Sequence, residues 1–437
     1  MAGYAPLDTC NSQLEEFSDV EEDHAFITDR EVARGGDLQG IPWDRLHFNR
    51  TRYRATRLAQ YPNYLNLEDE VKASAARIEA ESLKVDKGHQ FYDFCRNAKK
   101  VRTSIVHFQL RNLVWASSKH DVYFIHNNCL KHWSAVTNQM TKVLDASGLS
   151  PPATEDRLTA AGRMQISTCC VQGPMCALGG FSGELVVRNL DLGRGEDRAV
   201  QSTRLTESEN GITNGIEMFE GRSGASCVMS SNNDALVRVL DTATFQTLSK
   251  WELPWAVNWS TIRPTDRGLV ACVGDHPHTL LLDANSGAVA HTLDGHVDYS
   301  FAAAWHPGGN LLATGNQDTT MCIWDMRQLS KPQALLKGSM AAVRSIRFSA
   351  DGRYCAAAEA GDFVHILDVA SGFRKCQEID LFGEVAGVAF SPDASTMFIG
   401  IADVTYSSML QYNHHKLRRK PERVGDLDID DYHGDMM

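Results

Sequence analysis

Residues 293–327 read LDGHVDYSFAAAWHPGGNLLATGNQDTTMCIWDMR, with a Gly-His pair at Gly295-His296 and a Trp-Asp pair 29 residues further on at Trp324-Asp325. Between them stand two apolar runs separated by the turn-forming His-Pro-Gly-Gly of residues 306–309. This is the pattern of one β-propeller blade, a small four-stranded sheet that cannot bury both of its faces by itself. One such unit therefore requires neighbours of the same kind.

The register returns on both sides. Ile262, Trp305, Phe348 and Phe390 lie 43, 43 and 42 residues apart, and each closes an apolar run just before a turn rich in Gly, Pro or Asp. Leu240-Asp241, Leu282-Asp283, Trp324-Asp325, Leu367-Asp368 and Tyr412-Asn413 repeat at the same period. A repeat near 43 with strand-like alternation fits propeller blades and no helical solenoid. Residues 163–205 and 210–253 extend the series backwards, and residues 113–136 with 142–145 supply four strands more. The last unit, residues 384–413, has room for three strands. Its open edge requires a strand from elsewhere, and residues 102–108, RTSIVHF, are expected to provide it, which makes seven blades.

The segments YRATRLAQYPNYLNL (53–67), SIVHFQLRNLVWASSKHDVY (104–123) and LFGEVAGVAFSPDASTMFIGIADVTYSSMLQYN (381–413) resemble a family of WD-repeat (WD40) β-propeller proteins of plants and fungi. The resemblance runs over roughly residues 41–413. It implies an all-β, seven-bladed WD40 propeller and brings no assigned activity.

The ring is expected over residues 101–413. Residues 1–40, containing EEFSDVEED, read as an acidic disordered tail. Residues 41–100 read as an aromatic and basic segment followed by one or two amphipathic helices over 68–100. Its Trp43, Phe48, Tyr53, Tyr61 and Tyr64, with Arg45, Arg50, Arg52, Arg54 and Arg57, could stack on bases; packing along the ring surface is the more ordinary use of such a mixture. Residues 414–437 are basic and then acidic; Lys416, Arg418, Arg419 and Lys420 have the form of a nuclear-import signal. Ser18, three residues before Glu21, suits an acidophilic kinase. A net charge of −12 argues against broad nucleic-acid binding. Eleven scattered cysteines, the absence of a CxxC motif and the lack of an apolar leader or membrane-length apolar run point to a cytoplasmic or nuclear protein.

His296, Thr314, Asp318 and Trp324 resemble a catalytic set, yet in WD-repeat proteins the equivalent four groups form a structural hydrogen-bonded tetrad. The other blades, without the full set, are expected to hold their loops by apolar packing. His276 with His278, and His414 with His415, lack the further ligands of a metal site, and 179–183, GGFSG, is a turn rather than a phosphate loop. No catalytic group, metal or cofactor is assigned. Trp324-Asp325-Met326-Arg327 fits the WDxR pattern of cullin-ligase substrate receptors, which would place Arg327 against an adaptor subunit. The register aligns Asn214, Asn258, Phe301 and Arg344 on the loop-facing ends of the inner strands, the expected protein-binding surface; the alternative makes them loop supports and leaves binding to residues 41–67. The function expected is a non-enzymatic protein-interaction scaffold, with an enzyme site at the channel mouth as a distant rival.

Overall fold

The computed structural model describes residues 25–149, 164–191 and 200–415. The quoted stretch forms the antiparallel strands Ser300–Trp305, Leu311–Asn316, Thr320–Asp325 and Ala334–Lys337, paired in sequence order. Gly309 turns the first hairpin at φ +69, a left-handed conformation that glycine enters without strain. Four further four-stranded sheets have the same order. We number the five I to V by the inner strands that begin them: Val114–Ala116, Ile166–Gln172, Thr213–Glu220, Val257–Ile262 and Ser300–Trp305.

Sheet VI has eight strands: two four-stranded runs that share the long strand Cys376–Phe390 account for seven, and Phe26–Thr28 at the edge is the eighth. The first half of that strand pairs with Gly361–Asp368 and the second half with Thr396–Ala402. The bend between the halves falls at Gly383, φ +116, where a Cβ would come 2.9 Å from the Ile401 side chain.

Apolar side chains that alternate along each strand meet those of the next sheet. Trp259, Leu281 and Val273 of sheet IV pack with Trp305, Leu312 and Trp324 of sheet V, and Ala313 and Ile323 of sheet V pack with Ile346, Ala357 and Leu367 of sheet VI. The core is thus divided among the inter-sheet layers. Each inner strand touches the inner strand of the following sheet, and Cys376–Phe390 touches Val114–Ala116, where the Leu113 amide donates to Ala386 O at 3.1 Å.

The strand added to the end of sheet VI is Tyr92–Ala98, not residues 102–108. It pairs with Ser408–His414, with Phe94 opposite Tyr412. Tyr92 is fully buried in the adjoining core and donates its hydroxyl to Ala394 O at 2.7 Å. Residues 102–108 have the alternation of a strand but form no ladder; the Ser104 amide donates to Ile125 O at 2.9 Å, and Arg111 and Arg344 donate to Phe108 O.

The acidic-tail boundary also moves. Phe26–Thr28 pairs outside Tyr92–Ala98 and leads into helix α1, Asp29–Ala33, whose capping box joins Thr28 and Glu31. Ile27 is buried, and Arg96 lies over the Phe26 ring, so this part of residues 1–40 has apolar anchors. Helices α2, Arg50–Gln60, and α3, Glu68–Glu81, follow. Residues 86–88 then bridge to Lys375 and Gln377 at the start of the shared strand of sheet VI, so the expected helical stretch ends well before residue 100.

Candidate protein-interaction face

The Gly-His loop of sheet V is closed by a polar network. His296 shares one hydrogen bond through Nε2 with Thr314 Oγ1 (2.8 Å) and another through Nδ1 with Thr320 Oγ1 (3.0 Å). Trp324 Nε1 donates to Thr314 Oγ1 at 3.0 Å, Thr320 Oγ1 donates to Asp318 at 2.6 Å, and the Val297 amide donates to Asp318 at 3.0 Å. The structure thus brings all four predicted groups together and inserts Thr320, which sequence reading missed, between the imidazole and the carboxylate. His296 and Asp318 are 3.5 Å apart, an ion-pair distance too long for a hydrogen bond. Burial works against a charged imidazole here, but Cys322 and Asp318 outweigh it and raise His296 to about 10.

Asp318→Ala removes both the counter-charge and the loop acceptor and should cost about 1–3 kcal/mol of stability in chemical denaturation. The sign with pH follows from the raised imidazole. Its contribution is complete below the unfolded value of about 6.5 and is lost as pH rises toward 10, so the stability difference between the native chain and His296→Gln should shrink over that window. A constant difference from pH 6 to 10 would contradict a charged His296.

The expectation of apolar packing in the other loops is corrected by sheets III and VI. In sheet VI, Glu359 accepts the backbone amides of Ser339, Met340 and Ala341 at 2.5–2.8 Å and meets His365 Nε2 at 2.7 Å. In sheet III, Asp234 pairs with Arg238 at 2.6 Å. A Glu or an Arg takes the place of the familiar residue type, so a search for the tetrad letters passes over them.

Asn214, Asn258, Phe301 and Arg344 are corrected as partner contacts. All four are buried, at 4–5% exposure, and they join neighbouring sheets. Asn214 Nδ2 donates to Val257 O at 2.9 Å, Asn258 Nδ2 to Ser300 O at 3.1 Å, and Arg344 to Phe108 O and Gln317 while lying over the Phe301 ring. They are loop supports, since a group enclosed between sheets offers no surface to a partner.

Residues 41–67 cover part of the same loop-bearing face. Trp43, Phe48 and Tyr53 pack around Phe382, while the guanidinium of Arg54 lies 4.2 Å from the Phe382 centroid. Arg50 and Arg54 pair with Asp380, and Arg54 and Arg57 with Asp362, which has no exposed side-chain surface. Trp43, Phe48, Tyr53, Arg50, Arg54 and Arg57, which could have stacked on bases, are used in this contact, whereas Arg45, Arg52 and Tyr64 stay exposed. The segment ends with the Asn66 amide donating to Asp298 at 2.9 Å.

The remaining predicted positions are ordinary in their surroundings. Arg327 is at the rim with 83% of its side chain exposed, folded back on Asp325 at 2.6 Å. His276 and His278 rings are 4.7 Å apart, His276 stacking on Trp255; His414 meets the Tyr354 hydroxyl, and His415 meets Asp93. The cysteines among the described residues are free thiols, all buried except Cys95. Ser18, Lys416, Arg418, Arg419 and Lys420 lie outside the described residues. Among those described, no helix is long and apolar enough to cross a membrane.

The four-stranded sheets and the tetrad of sheet V have the form of WD-repeat units. Residues 287–325 match the family model of the WD domain, G-beta repeat. The chain is similar to the pre-mRNA-processing factor 19 homolog 2 of Arabidopsis thaliana, 30% identical over 33% of this chain and 27% of that protein. It is also similar to the WD repeat-containing protein VIP3 of the same plant, 27% identical over 33% of this chain and 49% of that one. The small ribosomal subunit protein RACK1 of Schizosaccharomyces pombe is 29% identical over 25% and 37% of the two chains. The chain thus spans at most about half the length of these relatives. A chain from the crystal structure of the mitotic checkpoint complex superposes with a TM-score of 0.58 over 76% of this chain and 95% of its own, at 15% identity, a likeness of fold.

Proposed function

We propose that the chain is a seven-bladed WD40 propeller acting as a non-enzymatic platform for protein partners within a multiprotein complex of the cytoplasm or nucleus. The eight-stranded sheet is read as two blades, and the contact of the last inner strand with the first supports a closed ring. A ring of this kind presents rigid loops on two faces, and such loops carry function while the sheets carry stability. The observation that carries the reading is the way the tetrad and the Glu359–His365 pair spend their hydrogen bonds on loop backbone. Those groups are used in holding loops still, not aimed at a reacting atom.

The exposure of Arg327 favours a second reading, a substrate receptor docking a ubiquitin-ligase adaptor through WDxR. Affinity purification of the native chain beside Arg327→Ala separates the two. The platform reading expects the same partners from both proteins; loss of an adaptor subunit with Arg327→Ala would establish the receptor. Substrate turnover by the purified chain would overturn both in favour of an enzyme.

A further inference from the structure

Between sheets V and VI, where the extension returns to the sheets, lies a cavity of about 30 Å³. The Leu83 amide donates to Leu335 O at 2.7 Å and the Asp86 amide to Arg374 O at 2.8 Å, which sets Val85 and Lys87 over the space as one wall. Met321 and Leu336 of sheet V and Val343, Ala357 and Leu367 of sheet VI supply apolar sides, and His365 and Cys376 complete the lining. A single water needs about 10–15 Å³ of such space, so the cavity admits a molecule about twice that size.

Two groups in this lining carry chemistry. Cys376 is a free thiol whose sulfur lies within hydrogen-bond reach of the His365 ring. Nε2 of that ring donates to Glu359 Oε1 at 2.7 Å, the contact that serves the loop, while Nδ1 stands 3.5 Å from Glu378 Oε2. Burial opposes a charged imidazole here, but Cys376 and Glu359 outweigh it and raise His365 to about 10. An imidazolium beside the sulfur can hold negative charge that develops on an oxygen bound to it.

Sheet V contains a similar pair without the space. Cys322 Sγ lies 3.8 Å from His296 Nδ1, but both nitrogens of that ring are taken by Thr314 and Thr320. Cys322 is fully buried among Leu293, Ala303 and Trp324 and has no part in the cavity lining. The two thiols are thus alike in their imidazole and differ in access.

We propose that Cys376 is a modification site for hydrogen peroxide, which the cavity admits and the thiol converts, becoming a sulfenic acid. The sulfur gives an electron pair to one peroxide oxygen. The S–O bond forms as the O–O bond breaks, and the departing hydroxide takes the thiol proton and leaves as water. Sulfur loses the electron pair that the peroxide gains. The site goes beyond the platform reading and does not depend on it.

The test exposes the full folded chain to hydrogen peroxide, removes the oxidant with catalase, unfolds the chain in iodoacetamide and reads each cysteine by peptide mass. Cys376 should lose its alkylatable thiol about tenfold or more faster than Cys322. Ala357→Val, which puts methyl groups into the cavity, should bring Cys376 down toward the rate of Cys322. His365→Gln should slow Cys376 while the half-buried Cys95 reacts as in the native chain. Equal rates at Cys376 and Cys322 in the native chain, the result that oxidation through global unfolding would give, would overturn the site. So would an Ala357→Val chain that melts like the native protein and oxidises at Cys376 unchanged.

Discussion

A chain shortened to begin at residue 99 is expected to lose cooperative melting and to aggregate. The shortening removes Tyr92–Ala98 and leaves Ser408–His414 as an open edge. It also uncovers the core around Tyr92, which packs with Val388, Met397, Leu410 and Tyr412. Full burial of one large apolar side chain contributes about 1.5–3 kcal/mol, and a whole domain is stable by only ~5–15 kcal/mol. A seven-residue strand with a ladder on both sides therefore accounts for a large share of the total. A chain beginning at residue 25 retains Phe26–Thr28 and the closing strand, and should melt like the native protein. Soluble, cooperative unfolding of the chain beginning at 99 would show that the extension is an appendage.

The second large effect is expected at Asp362. Its carboxylate is fully enclosed, takes Arg54 and Arg57, and accepts the Gly383 amide at 3.0 Å. Asp362→Asn keeps the volume and tolerates the positive φ of 69 that this position adopts, so its effect reads the charge. Breaking one side of a buried ion pair costs about 3–5 kcal/mol, because the remaining charges stay desolvated without a partner. The loss should fall on docking of α2: limited proteolysis should cut within residues 41–67 while the sheets remain resistant. Unchanged protection of that segment would mean that the aromatic contacts around Phe382 hold it unaided.

Much of the sheet repeat was legible because inner strands answer to a single constraint. Ile262, Trp305, Phe348 and Phe390 each end an inner strand, and Leu240-Asp241, Leu282-Asp283, Trp324-Asp325 and Leu367-Asp368 each end the third strand of their unit. Apolar packing between sheets repeats at every unit and leaves the same letters. The closing strand left no such trace. YDFCRNA carries Asp93, Arg96 and Asn97 because its partners include Gln411, Leu38 O and the Trp133 ring, whereas RTSIVHF alternates without pairing.

The four residues expected to contact a partner are enclosed between sheets. Inner-strand register finds the residues that lock sheets together, and those are enclosed by their own success. Ion pairs between residues hundreds of positions apart, such as Arg54 with Asp362, have no signature in one sequence. The tetrad was legible because its four groups occupy one blade. Glu359 and His365 do the same work with a different acid and were missed.

The central claim is that Tyr92–Ala98 of the extension is an integral strand of sheet VI, and hydrogen exchange of the amides in residues 92–98 tests it most directly. The account predicts that amides of this strand bonded to Ser408–His414 exchange as slowly as those of Ser300–Trp305, by global unfolding alone. Fast exchange of residues 92–98 with the sheets still protected would contradict it.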